Sequence, residues 1–173
     1  MYNPSFRTIA LIAATILCLS LMGFSQRIEA TEVYGGQGGD SFSDTQMPDG
    51  AREFEAVISS GEFMDSIQLV YMLPDGRTQS TPRRGGSGGE RRVFRFDSDE
   101  YLMGISGRYG NYIDSLRIHT NKRTSSIYGG SGGNRDYRID IPPGNHAIGF
   151  KGRAGDYLDA IGLIYVPLMM QGV

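Results

Sequence analysis

Apolar and polar side chains alternate in short runs along most of the chain after residue 30. Clear runs span residues 54–58, 91–96 and 115–120, and such alternation is typical of β-strands that are buried on one face. Gly, Pro, Asp and Asn residues separate the runs at intervals of about eight to twelve residues, as in all-β domains. The pattern therefore predicts an all-β fold. Further strands are predicted at residues 67–71, 101–106, 137–141, 146–150 and 160–166.

A five-residue motif with Gly first, an aromatic residue third and Asp fifth occurs three times. The copies are Gly61-Glu62-Phe63-Met64-Asp65, Gly110-Asn111-Tyr112-Ile113-Asp114 and Gly155-Asp156-Tyr157-Leu158-Asp159. They start 49 and 45 residues apart, and each runs directly into an alternating stretch. A regular spacing of this size indicates an internal repeat.

A second motif, G-G-x-G-G, keeps the same phase as the first. It occupies residues 35–39, 85–89 and 129–133, and it begins 26, 25 and 26 residues before the three GxxxD copies. Residues 104–108 and 149–153 also match each other, as Gly-x-x-Gly-Arg. Each repeat supplies about four short strands, which cannot bury an apolar face alone. Three such units around a pseudo-threefold axis can cover one another.

The GxxxD turn offers hydrogen-bonding groups of both kinds. Its glycine allows unusual backbone angles, its N–H groups are donors, and its carboxylate is an acceptor. Adjacent hydroxyls of a sugar need such a combination, and an aromatic ring can cover a sugar's apolar face. A glycine–aspartate turn can also serve only to close a hairpin. Three copies in phase with three diglycine loops favour a binding function.

These motifs resemble those of the jacalin-related lectins, and the resemblance extends from about Val33 to Tyr165. It rests on residues 34–40, the two GGSGG loops and residues 152–162. The family implies a β-prism of three four-stranded antiparallel Greek-key sheets with pseudo-threefold symmetry. In its mannose-specific branch, each GxxxD motif works with the diglycine loop that follows it, cyclically. Carried over, the three predicted carbohydrate-binding sets are Asp159, Asp156, Tyr157 and Gly39; Asp65, Glu62, Phe63 and Gly89; and Asp114, Asn111, Tyr112 and Gly133.

The resemblance also bears on which sugar is bound and by which site. Galactose-specific members depend on a cleavage that frees an amine at the first glycine loop. Here Tyr34 and several other residues precede Gly35, so mannose or glucose is expected. The first motif carries Phe63 where the other two carry tyrosine, so its site is expected to be the weakest. Mannose-containing glycans are the expected partners, and a homodimer is left open.

Residues 1–30 differ from the rest of the chain. Arg7 precedes an apolar run at residues 9–24, and small and polar residues follow it, as in a secretory signal peptide. Cleavage is expected after Ala30, which leaves a lectin domain at residues 31–173 without membrane insertion and outside the cytoplasm. An uncleaved anchor is the alternative. The only cysteine, Cys18, lies in the apolar run, so the mature domain has no disulfide.

Other functional classes have weaker support in the sequence. The net charge is −2 and no basic block exists, which argues against nucleic acid as a partner. His119 and His146 lack a neighbouring nucleophile or metal-ligand pattern, so neither an enzyme nor a cofactor is expected. The acids at residues 97–100 lack the ligand spacing of a calcium loop and are interpreted as a solvated turn. A β-prism that binds proteins rather than sugars is the alternative function.

Overall fold

The computed structural model describes residues 27–168, and within that range the regular structure is entirely β-strand. The strands are β1 Glu29–Ala30, β2 Tyr34–Gly35, β3 Asp40–Ser43, β4 Arg52–Ser60, β5 Met64–Met72, β6 Thr78–Ser80, β7 Arg84–Gly85, β8 Glu90–Arg95, β9 Leu102–Tyr109, β10 Ile113–Thr120, β11 Tyr128–Gly129, β12 Arg135–Asp140, β13 Asn145–Ala154 and β14 Leu158–Pro167. The all-β prediction is confirmed, and the long strands match the predicted runs.

The strands form three antiparallel sheets. Sheet A has the order β3-β13-β14, with β1 and β2 both paired to β14; sheet B has the order β8-β4-β5, with β6 and β7 both paired to β5; and sheet C has the order β12-β9-β10-β11. Each sheet places its fourth strand beside its first, which is the Greek-key order. This is the expected β-prism. Sheets A and B have five strands rather than four because their outer strand is split into two short segments.

A hydroxyl side chain marks the split in sheet B, where the Leu69 N–H donates to Thr81 Oγ1 at 3.1 Å instead of to a main-chain carbonyl. Thr31 accepts from the Leu163 N–H at 2.9 Å in the same way between β1 and β2 of sheet A. The Thr81 N–H still donates to the Leu69 carbonyl at 2.9 Å, and regular pairing along β5 resumes at Arg84, which is paired with Ile67.

The main hydrophobic core lies between the three sheets. It is built from the inward-facing residues of the long hairpins in every sheet, and no single sheet could bury them alone. Its most deeply buried members include Ile58 and Leu69 of sheet B, Ile105 and Leu116 of sheet C, and Phe150 and Leu163 of sheet A, all with no exposed surface.

The acidic turn at residues 97–100 is not simply solvated, so that expectation is wrong for Glu100. Its side chain is fully buried and accepts hydrogen bonds from the Asp97 N–H, Thr120 Oγ1 and two nitrogens of Arg123 at 2.7–3.0 Å. Burial would raise the pKa of Glu100, but these hydrogen bonds outweigh it and lower that pKa to about 2. The sequence shows the acids but not the arginine that folds back onto them.

The predicted signal peptide and Cys18 lie mostly or wholly in residues 1–26, outside the described residues. The expected cleavage point after Ala30 coincides with the end of β1, whose residues pair with Tyr165 and Ile164 of sheet A. Cleavage there would remove β1 and leave β2 as the outer partner of β14. None of residues 27–168 forms a helix long and apolar enough to cross a membrane.

Candidate functional site

The three GxxxD motifs form the turns of the three long hairpins. They join β4 to β5, β9 to β10 and β13 to β14. In each turn the N–H of the motif glycine donates to the carbonyl of the aromatic residue two positions later, at 2.9 Å in all three copies. Since the hairpins are equivalent members of the prism, the three turns lie together at one end of it, called the loop end below.

Each turn meets the predicted diglycine loop. The second glycine of the loop donates its N–H to the carbonyl of the motif aspartate, at 2.8 Å for Gly36 with Asp159. The equivalent distances are 3.0 Å for Gly86 with Asp65 and 2.9 Å for Gly130 with Asp114. The structure therefore brings each predicted set together, and the first loop reaches the last motif as expected for a cyclic arrangement.

The aspartate side chains are held against the glycines of these loops. Asp65, Asp114 and Asp159 are 7%, 3% and 3% exposed. A Cβ atom added to the last loop glycine would lie 2.3–2.8 Å from the Oδ2 of the neighbouring aspartate in all three sites. These glycines, Gly39, Gly89 and Gly133, also have positive φ angles of 57°, 73° and 73°. Only glycine meets both requirements, and its bare backbone leaves the carboxylate unobstructed.

Burial shifts the titration of two of these carboxylates. It raises the pKa of Asp114 and of Asp159, and the backbone N–H of Gly110 or Gly155 opposes that shift only in part. Within residues 27–168, no three acidic, histidine or cysteine side chains converge to hold a metal ion. An ionised carboxylate can only accept hydrogen bonds, so these three side chains offer acceptors to a ligand.

Two arginines hold the diglycine loops by hydrogen bonds, and neither is among the residues predicted for the site. Arg153 donates from Nε to the Gly38 carbonyl at 2.7 Å and from Nη2 to the Gly39 carbonyl at 2.6 Å. Arg108 donates from Nη2 to the Gly133 carbonyl at 2.7 Å. The one feature of the sequence that points to these two arginines is the Gly-x-x-Gly-Arg match between residues 104–108 and 149–153. Ser59 stands at the equivalent position beside the Asp65 site.

The three motif aromatics contact one another. The ring centroids of Phe63 and Tyr112 are 5.3 Å apart, those of Phe63 and Tyr157 are 5.6 Å apart, and those of Tyr112 and Tyr157 are 4.9 Å apart. Such tilted and edge-to-face contacts are favourable for aromatic pairs. The sequence predicts one ring for each sugar. The structure instead places the three half-buried rings in one triangle at the centre of the loop end.

The loops also connect neighbouring sites. A Cβ atom on Gly36 would lie 1.9 Å from the Asn111 carbonyl oxygen, although Gly36 belongs to the Asp159 site and Asn111 to the Asp114 site. Gly130 approaches Glu62 in the same way, and Gly86 approaches Asp156, with distances of 2.5 and 2.2 Å. Each diglycine loop thus contacts two motif turns, and the three sites form a closed ring.

Both histidines lie in hydrogen bonds outside the loop end. His146, near the start of β13, contacts Glu53 Oε1 through Nδ1 at 3.2 Å. His119, near the end of β10, contacts Ser106 Oγ at 2.7 Å and Thr124 Oγ1 at 2.9 Å. These contacts join strands and loops, and neither ring faces one of the motif carboxylates.

A β-prism that presents three glycine-framed carboxylates at one end has the architecture of a carbohydrate-binding protein. A family model of the Jacalin-like lectin domain matches residues 31–164, and the chain belongs to that family of lectins. Horcolin from Hordeum vulgare is 36% identical over 140 residues, covering 78% of this chain and 94% of horcolin. A mannose/glucose-specific lectin from Parkia pendula is 32% identical over 143 residues, covering 78% of this chain and 31% of that lectin.

Solved structures agree with this assignment. Malaysian banana lectin superimposes with a TM-score of 0.70 at 28% identity, covering 82% of this chain and 100% of that one. Artocarpin in complex with methyl-α-mannose gives a TM-score of 0.70 at 27% identity, covering 82% of this chain and 99% of artocarpin. The three-sheet prism is therefore shared with lectins of known structure.

Proposed function

We propose that this lectin binds terminal mannose, with glucose tolerated, through the three loop pairs at the loop end. The observation that carries the proposal is the threefold repetition of one arrangement, a buried aspartate framed by a diglycine loop. Hairpin closure alone does not require a carboxylate at each turn. The mannose/glucose specificity of the Parkia pendula relative and the methyl-α-mannose complex of artocarpin support the choice of sugar.

Adjacent sugar hydroxyls would donate to the carboxylates of Asp65, Asp114 and Asp159. The same hydroxyls would accept from backbone N–H groups of the motif and of the last loop glycine. Because each hydrogen bond replaces one to water, a single site binds weakly. Three sites at one end would hold a branched oligomannose together, and avidity would raise the affinity by ~10²–10⁴. No bond of the sugar is broken, so the protein acts as a binding protein and not as an enzyme.

Mannose or glucose is preferred to galactose because of Tyr34. This residue lies in β2, is paired with Ile161 and stacks on Tyr137 with ring centroids 6.1 Å apart. The chain thus continues into the first diglycine loop through an ordered strand, and Gly35 carries no free amine.

Calorimetric titration with methyl α-mannoside tests the proposal. The parent protein is expected to bind about three sugars per chain, and Asp→Asn variants at residues 65, 114 and 159 are each expected to remove one. Asp75→Asn, at an exposed acid in the turn after β5, serves as the control and should retain all three. If the triple variant binds mannan as well as the parent does, the proposal is wrong. Absence of heat with mannose, glucose and galactose would favour a protein-binding β-prism.

The same proposal includes export from the cytoplasm under the direction of residues 1–30. Support comes from the positive, apolar and small-residue order of that segment. N-terminal sequencing of the protein recovered outside the cytoplasm tests it. A new N-terminus at Thr31 would show that β1 is dispensable, whereas a start near Arg27 would show that β1 stays in sheet A. A chain that begins at Met1 and stays with the membrane would indicate an anchor.

A further inference from the structure

The edge where sheets A and B meet contains a charged residue at a position that is apolar in the other sheets. Asp44 follows β3, donates its N–H to the Phe150 carbonyl at 2.8 Å and is 6% exposed. Phe94 of β8 lies opposite Ala56, and Ile139 of β12 lies opposite Ile105. These three positions are equivalent in the repeat. Sheets B and C therefore use a buried apolar side chain where sheet A uses a carboxylate.

The partner of Asp44 breaks the repeat as well. The residue before each diglycine loop is Tyr34 in the first copy and Tyr128 in the third, but Arg84 in the second. Arg84 donates from Nε to Asp44 Oδ1 at 3.0 Å, and its Nη2 contacts the same oxygen. Its guanidinium also lies 5.0 Å from the ring centroid of Phe42. Arg84 and Asp44 are called the A–B ion pair below.

The fold gains little from this ion pair. Removing two charges from water costs as much free energy as their attraction returns, so apolar residues of similar size often stabilise a protein at least as well. The Asp44 Oδ2 atom adds to the cost, because it is buried and has no hydrogen-bond partner. The equivalent positions of the other two repeats show that the prism packs without the charges. The ion pair is therefore better explained by a function than by the stability of the fold.

The A–B ion pair lies beside a groove with a volume of about 360 Å³, within the range of small-molecule sites. The buried Tyr71 and the exposed Pro82 also line the groove. Its other lining residues are neutral and can form hydrogen bonds: Ser43, Thr45, Gln46, Gln79, Ser80 and Thr81. A second depression shares Thr45, Gln46 and Gln79 and extends the groove towards Pro48. The groove is thus elongated and polar, and its charged residues are the neutralised pair and, at the far end, the exposed Asp49.

We propose that this A–B groove is a second ligand site, for a neutral polyhydroxylated molecule such as a short linear saccharide. The carboxylate and the guanidinium neutralise each other, so the pair itself favours neither an anion nor a cation, and Asp49 lies at the far end of the groove. Arg84 uses only two of its nitrogens on Asp44 and retains N–H donors for a hydroxyl oxygen. The hydroxyl and amide side chains along the groove supply the remaining partners. None of these residues belongs to the GxxxD motifs, so the proposal stands apart from the function proposed above.

The test uses isotope-labelled full-length protein carrying Asp65→Asn, Asp114→Asn and Asp159→Asn, which removes the loop-end carboxylates. Titration with linear mannotriose is expected to shift the amide NMR signals of residues 45, 46, 79 and 80. A further Gln46→Ala, Gln79→Ala change, at two exposed side chains, should weaken that binding about tenfold, as the loss of two hydrogen bonds predicts. Thr78→Ala, at an exposed residue outside the groove, is the matched control and should not change it.

A double variant, Asp44→Phe with Arg84→Tyr, copies the residues found at equivalent positions of the other repeats. It is expected to keep the thermal unfolding midpoint of the parent and to lose the groove shifts. Groove shifts that persist in this variant would overturn the role of the ion pair. Absence of groove shifts with mannotriose in the protein with an intact ion pair would overturn the proposal itself and would indicate that only water occupies the groove.

Discussion

The Asp159 and Asp65 sites have the same backbone geometry and differ in the side chain that lies beside the diglycine loop. Both carboxylates are buried, both turns close with the same glycine-to-aromatic hydrogen bond, and both loops end in a glycine of positive φ. Arg153 adds two hydrogen bonds to the loop of the Asp159 site, whereas Ser59 makes none to the loop of the Asp65 site. The glycines and main-chain hydrogen bonds are therefore sufficient to build a site. The arginine adds restraint to a loop that already has its shape.

That restraint bears on affinity because an ordered loop loses less entropy when a ligand binds. The Asp114 site is intermediate, since Arg108 makes one such hydrogen bond to Gly133. The expected order of affinity is therefore Asp159, then Asp114, then Asp65. Phe63 already predicts the lowest affinity for the Asp65 site, and the absence of an arginine beside its loop gives a second and stronger reason.

The largest expected effect is that of Gly36→Ala. The new methyl group would lie 1.9 Å from the Asn111 carbonyl oxygen, in a contact that backbone must move to relieve. Since Gly36 joins two sites, binding at both Asp159 and Asp114 should be lost while Asp65 still binds. Calorimetry should show one sugar per chain instead of three.

Gly144→Ala is the matched control for that change. Residue 144 also has a positive φ, of 82°, but nothing lies within 4 Å of an added Cβ atom. It should cost about 1 kcal/mol of stability and leave binding unchanged. Retention of three sites in Gly36→Ala would show that the loops are not coupled.

The second prediction removes the difference between the two sites. Arg153→Ser gives the Asp159 site the residue found beside Asp65, and its affinity for methyl α-mannoside should fall about tenfold, to that of the Asp65 site. Site-resolved NMR titration measures this. Lys151→Ser, on the same strand but without a hydrogen bond to the loop, should leave affinity unchanged. An unaltered Asp159 site would mean that the arginine does not restrain binding.

The third prediction makes the reverse change. Ser59→Arg should supply the Asp65 loop with donors for the carbonyls of Gly88 and Gly89, and it should raise the affinity of that site for methyl α-mannoside about threefold. This gain is smaller than the loss expected for Arg153→Ser, because the residues around position 59 are not adapted to an arginine. The same titration follows the Asp65 signals. A fall in affinity would show that Arg91, which is paired with Ser59, repels the new guanidinium.

The smallest effect concerns pH. Burial raises the pKa of Asp159, and the nearby charge of Arg153 partly lowers it. A protonated carboxyl has lost a hydrogen-bond acceptor. As the pH falls, binding at this site should therefore decline at a pH above the pKa of an ordinary aspartate. Arg153→Ser should raise the pKa further and move the decline to higher pH. Binding measured across pH 3–7 tests the direction, and a shift to lower pH would contradict it.

Much of the fold could be predicted because the signals are local and repeated. The long hairpins alternate clearly, and two motifs in phase indicate three equivalent units. The outer strands were not identified, since β1, β2, β7 and β11 contain two residues each and no alternation can be read from so few. Their positions follow from pairing with β5, β10 and β14, which is a property of the folded sheet.

The candidate site could be predicted only where its parts repeat. The aspartates and diglycine loops recur in every copy, and the structure brings them together. The arginines recur in two copies of three and bind main-chain carbonyls far along the chain, so their partners are not visible in the sequence. The contact among Phe63, Tyr112 and Tyr157 depends on how closely the three turns approach the axis. Arg84 and Asp44 are the opposite case. Each differs from the residues at the equivalent positions of the other two repeats, and that difference marks the A–B ion pair.

Sheet A contains both ends of the described chain, and this determines when each site can form. The Asp159 site needs the loop that begins at Gly35, and Arg153 bonds to a residue 115 positions away. Contacts of such sequence separation form late in folding. A circular permutant opened at the Asp75–Gly76 turn, with residues 168 and 29 linked, would reverse the order. The Asp159 site would then become local, and the Asp65 site would be the one completed only after both ends of the chain meet.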